Sequence, residues 1–359
     1  MSASFFFFFF FGWTFLECAK TGGFWAIFRW NLLVALFAAL GFLIWGFDLM
    51  YPGDGWKPGE LIRFLIFAFS KEDTFGMGRF PEELSDKDLL RQTLFCVAAT
   101  LIVGRSLFQL GLGRRRLFLL TAFFSLLVYP VFGQWKWGGG WLEQLGFYDF
   151  GGALVTWGCA GFFVLGARMA ARSLTVVLPQ EPLTRTLKQR FFHARGFGFI
   201  FVFFILQTAP IGGRNFFLSK TILVLSISIS GLLAQLLLRF TLGKTRDQRL
   251  QYQGGFGLLA ALVAMQACEG FEIPLIPVVT GLSILFGCLV LYAAHQEPVL
   301  ADPCRSIASF ATGGMIGTLM AGFSPLARFG PQAIGLIACI LWAGGMGFLA
   351  MRVIRHARS

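Results

Sequence analysis

Tyr129-Pro130-Val131-Phe132-Gly133-Gln134-Trp135-Lys136-Trp137-Gly138-Gly139-Gly140-Trp141-Leu142, followed by Leu145-Gly146-Phe147-Tyr148-Asp149-Phe150-Gly151-Gly152, is the most informative stretch of this chain. It joins two apolar runs, 117–134 and 150–171, each long enough to cross about 30 Å of hydrocarbon as a helix. Two of its residues stand out. Trp137 suits an interfacial aromatic belt. Asp149 stands where a carboxylate is favoured by the free N–H groups of a helix start, and an ionisable group so close to the membrane is costly unless satisfied.

Outward from this segment the same pattern repeats. Of 359 residues 56% are hydrophobic and 13% charged, and the mean hydropathy is +0.71, values that a soluble domain does not reach. Full spans are expected near 24–48, 93–112, 117–134, 150–171, 196–212, 219–240, 254–270, 274–295, 308–325 and 333–354. Before them Phe5 to Phe11 form an unbroken run of seven phenylalanines, ending at Glu17 and Lys20 and read as about half a span. The fold expected is an all-α polytopic membrane protein with ten full helices plus a truncated Phe-rich first helix. It reads as one membrane domain over 1–359: a short first helix at 1–20, a first half at 21–171, a second half at 190–325 and a last helix at 333–354. The longest loop, 49–92, is acidic and carries a short apolar stretch, Leu61 to Phe69, expected in the interface or against the bundle.

The formal charge of +12 reports topology rather than nucleic acid. Alternate loops gather Lys20, Arg114, Arg116, Arg172, Lys244 and Arg355, among others, on one face; the short loops opposite carry Lys136, Arg214, Lys220 and Arg328. The basic face is therefore expected to be cytoplasmic, with the C-terminus inside and the 49–92 loop extracytoplasmic, in a cell (inner) membrane. The seven cysteines are scattered singly, with no CxxC spacing. No metal site, no catalytic residues and no cofactor are expected, and a bound lipid or pigment is left open.

The quoted segment resembles the ammonium transporter (Amt/Rh) family, whose fourth and fifth helices are joined by W-G-G-G-W-L leading to D-F-A-G-G-x-x-V-H. Thr100 to Gly104, Cys268-Glu269-Gly270 with Pro274, and Ala301-Asp302-Pro303 followed by Gly313-Gly314 and Gly317-Thr318-Leu319 extend the resemblance. It implies eleven helices with two inverted five-helix halves and a last helix, and it leaves a homotrimer open. It also implies an outer recognition site at Trp137 and Asp149, and pore histidines eight residues after an aspartate in each half. Those positions hold Trp157, eight after Asp149, and Phe310, eight after Asp302. Imidazoles accept hydrogen bonds and share protons, whereas indole and phenyl rings do neither and are bulkier. The gate position of the third helix maps onto Leu94, beside Phe95, and the sixth-helix gate pattern becomes 207–213. His193, His295 and His356 lie near helix ends and do not replace the pore pair.

The expectation that follows is an Amt-fold protein with an occluded pore, acting as a non-transporting structural or assembly subunit whose partners dock in the bilayer at the short first helix. The alternative is a channel or transporter for ammonium, ammonia or another small solute. The phenylalanine run, apolar on every side, suits lipid contact or aromatic packing against a partner.

Overall fold

The computed structural model describes residues 4–21, 23–52, 86–108, 110–171, 187–207, 215–241, 248–267, 275–293, 297, 299–300, 305–324 and 327–356. Among them there is no strand, and eleven helices follow one another. These are α1 (Ser4–Thr21), α2 (Phe24–Met50), α3 (Asp86–Phe108), α4 (Arg114–Gln144), α5 (Ala153–Ala170), α6 (Leu187–Gln207), α7 (Phe216–Thr241), α8 (Gln248–Ala264), α9 (Leu275–Ala293), α10 (Ile307–Ala321) and α11 (Phe329–His356). By length and composition α2, α3, α4, α5, α6, α9 and α11 can each cross a bilayer, while the apolar described parts of α1, α7 and α10 are shorter. The apolar stretch 61–69, the 268–274 connection and Asp302 lie outside the described residues.

Several helices start or stop away from the expected bounds, for a common reason. A helix continues wherever its backbone remains hydrogen-bonded, and polar residues outside the hydrocarbon do not end it. α6 therefore begins at Leu187 rather than 196, and α3 at Asp86 rather than 93. α1, expected at 1–20, ends at Thr21 as anticipated, but its 18 residues give about 27 Å at 1.5 Å per residue, more than half a span.

Close backbone approach at small residues sets the packing, as expected where lipid tails remove most of the hydrophobic drive between helices. The span of α5 is 89% buried and that of α2 28%, so α5 is central and α2 peripheral. α5 crosses α10 at glycine: a Cβ on Gly314 would lie 2.8 Å from Gly158 Cα, and a Cβ on Gly161 would lie 2.8 Å from Ala311 Cα. As α5 advances from Gly158 to Gly161, its partner on α10 steps back from Gly314 to Ala311, so the two helices run antiparallel. On the other side of α10, Gly317 faces the backbone of Ala264 on α8. α1 lies along α6, where a Cβ on Gly196 would come 2.9 Å from Gly12 O. Large apolar side chains such as Trp25, Ile44, Leu232, Leu341 and Val353 are exposed on α2, α7 and α11, the distribution a bilayer permits.

Candidate functional site

The site begins where α4 breaks. Gly138 packs against the backbone of Met50, and Gly139 adopts φ +74°, a conformation that strains any residue carrying a Cβ. The chain then turns through residues 145–152 into α5, and buried amides clamp this loop from both flanks. Gln332 accepts from Tyr148 N at 2.8 Å and donates to Tyr148 O at 2.7 Å. On the other flank Phe150 N donates to Ala267 O at 3.0 Å and Gly151 N to Gln266 O at 2.7 Å.

Asp149 is buried at the start of α5. Its carboxylate accepts from Ala153 N at 2.8 Å, Leu154 N at 2.9 Å and Val155 N at 2.8 Å. It thus satisfies amides that a helix start leaves without partners. Burial pushes this carboxyl up to about 7, against the pull of the three N–H groups and of Lys136. Its backbone carbonyl has a second task, accepting from Trp137 Nε1 at 3.1 Å. Gly152 makes room for this arrangement at φ +79°, where a Cβ would lie 3.0 Å from Trp137 Cη2.

Trp137 is half-buried, and Phe95 stacks against it with centroids 6.2 Å apart. The structure gives this contact to Phe95, which also meets Trp157 edge-on at 6.2 Å, whereas the neighbouring Leu94 is half-buried. Lys136 pairs with Glu143 at 3.4 Å and lies 5.8 Å above the Tyr148 ring.

Beneath Trp137 the rings close up. Trp157 and Phe310 stack with centroids 6.0 Å apart and 27° between planes, and both are fully buried. Both lie on π-helical turns, Trp157 in Ala153–Gly158 and Phe310 in Ile307–Ala311. Such wide turns recur at functional positions in helices. The Gly158–Gly314 crossing brings their two helices together at this level.

Further rings complete the cluster, and the sequence reading did not assign them there. Phe203 and Phe204 of α6 pack on Trp157 at 5.9 and 4.8 Å. From the phenylalanine run Phe9 reaches Trp157 at 5.5 Å, and Trp13 reaches Phe310 at 5.8 Å. The run is therefore not wholly turned to lipid: Phe9, Phe10 and Trp13 are buried while Phe7 is exposed. Among the described residues the indole Nε1 of Trp13 and of Trp157 has no hydrogen-bond partner. Such a cluster offers donors and π faces but no basic nitrogen. His193 is occupied elsewhere, against Phe197 at 4.8 Å.

A family model described as Ammonium Transporter Family matches residues 1–357. A putative ammonium transporter of Synechocystis sp. is 26% identical over 342 residues, covering 81% of this chain and 59% of that protein. A second one from the same organism is 34% identical over 131 residues, 35% of this chain and 27% of its own length. The chain thus spans less than two thirds of these relatives. The solved structure titled Sensor Amt Protein superposes with a TM-score of 0.72 at 23% identity, covering 99% of this chain and 91% of that one. The chain belongs to the ammonium transporter family, and the segments that carry Trp137, Asp149, Trp157 and Phe310 are arranged in a fold like that of Amt structures.

Proposed function

We propose that this protein is a transmembrane conduit of the ammonium class, closed in the described conformation by its own aromatic rings. The observation that carries this reading is the construction of the mouth. Trp137 is held at Nε1 by the Asp149 carbonyl and stacked on Phe95, yet keeps part of its surface open. A half-buried indole fixed at its edge can offer a π face to a small cation. Membership of a family of ammonium transporters supports the same substrate class. Passage requires the Trp157–Phe310 pair to separate, since no part of either ring is exposed.

A second reading, a non-transporting structural subunit of a larger membrane complex, is favoured by that complete burial and by the two extra rings from α1. Uptake of methylammonium into liposomes carrying the purified protein separates the two. The conduit reading expects uptake above empty vesicles, reduced roughly 5–30-fold by Trp137→Leu at low substrate, the equivalent of about 1–2 kcal/mol of cation–π attraction. Uptake equal to empty vesicles, together with co-purification of a stoichiometric membrane partner, supports the subunit reading instead.

A further inference from the structure

The phenylalanine run poses a problem of register. Residues 5–11 are identical, so sliding α1 by one turn, about 5.4 Å, replaces Phe9 by Phe5 and Phe10 by Phe6 with no change of chemistry. Rings alone do not specify which of them meets Trp157. On the α6 side the approach of Gly12 to Gly196 helps to fix the position.

On the side of α2 and α3 a buried polar cluster stands at the same height of α1. Asn31 Nδ2 donates to Thr14 Oγ1 at 3.2 Å and to Glu17 Oε2 at 3.1 Å. Arg105 Nε lies 3.8 Å from Glu17 Oε1, and the guanidinium sits 4.8 Å above the Phe108 ring. Thr14, Glu17, Asn31 and Arg105 are all buried. Thr14 follows directly on Trp13 and Glu17 lies four residues beyond it, and both are bonded by one amide from α2, while the positive charge comes from α3. Ionisable groups inside a membrane are costly unless paired, and a slip of α1 by one turn would break the contacts of Glu17 with Asn31 and Arg105.

We infer that Glu17, Asn31 and Arg105 are positioning residues that set the register of α1 and thereby hold Phe9 and Trp13 against Trp157 and Phe310. Buried polar groups in other helical assemblies do the same, selecting one register among several that apolar packing allows. The structural part stands on the cluster itself; its consequence for passage rests on the closed-conduit reading.

The test uses the full chain labelled with 5-fluorotryptophan, with the Trp13 ¹⁹F resonance assigned by Trp13→Phe. Variants are Glu17→Gln with Arg105→Gln, the charge swap Glu17→Arg with Arg105→Glu, and Asn31→Leu, which introduces no unpaired charge. The expected result is a second Trp13 resonance in the neutral double variant and in Asn31→Leu, collapsing to a single one in the swap, with methylammonium uptake rising about tenfold in step with the second state. A single wild-type Trp13 resonance in both the double variant and Asn31→Leu, even with lowered thermal stability, overturns the inference. If the double variant does not fold, Asn31→Leu decides by the same rule. A second resonance without any change in uptake upholds the positioning role and counts against the conduit.

Discussion

Three main-chain N–H groups converge on Asp149 within 2.9 Å, and replacing it by alanine leaves all three buried without a partner. Asp149→Ala is expected to lower the unfolding free energy in detergent by about 2 kcal/mol, between the cost of a lost N-cap and that of orphaned buried donors. Asp149→Asn keeps one acceptor oxygen and should lose less; equal losses in thermal or denaturant unfolding would show that the cap is not what matters. Trp157→Ala should cost about 3–5 kcal/mol by opening a cavity in a close-packed ring cluster. At this scale the cap and the ring positions were legible, because Asp149 and the eight-residue spacings are local features. Phe95 was not separable from Leu94, since neighbours on a helix point about 100° apart and their facing depends on packing. Gln332 and Gln266 gave no signal at all: Gln332 bonds Tyr148, 184 residues earlier in the chain.

Helix contacts follow the small residues. A Cβ on Gly12 would meet Ile200 Cγ1 at 2.8 Å, Phe199 Cβ at 2.9 Å and Gly196 O at 3.0 Å, whereas Gly198, exposed on α6, has nothing within 4 Å. Gly12→Ala is therefore expected to destabilise by about 1–3 kcal/mol through overpacking, and Gly198→Ala to be neutral or stabilising by up to about 1 kcal/mol. Paired unfolding curves check this, and the same loss at both positions would contradict the close crossing. The apolar runs made most helices visible in the sequence. Their ends were less so, because α3 and α6 continue into polar residues, and the π-helical turns that carry Trp157 and Phe310 leave no mark in hydrophobic periodicity. The inward role of the phenylalanine run was hidden for a different reason: a uniform run has no polar face to show which side is buried.

Across the molecule, the antiparallel crossing of α5 and α10 brings the two ring positions together at the most enclosed part of the bundle. The asymmetry of basic residues predicts that the end of α11, with Arg352 and Arg355, faces the cytoplasm. In a background without other reactive thiols, His356→Cys should react with a membrane-impermeant thiol reagent in inside-out vesicles and Glu143→Cys in right-side-out vesicles; the reverse pattern would invert the orientation. The central claim is that an ammonium-class mouth leads to a pore closed by Trp157 and Phe310. Its most direct test is methylammonium uptake by liposomes containing the wild type or a Trp157→Ala, Phe310→Ala variant that remains folded. The expected result is wild-type uptake above empty vesicles and faster uptake in the variant; uptake indistinguishable from empty vesicles in both would contradict it.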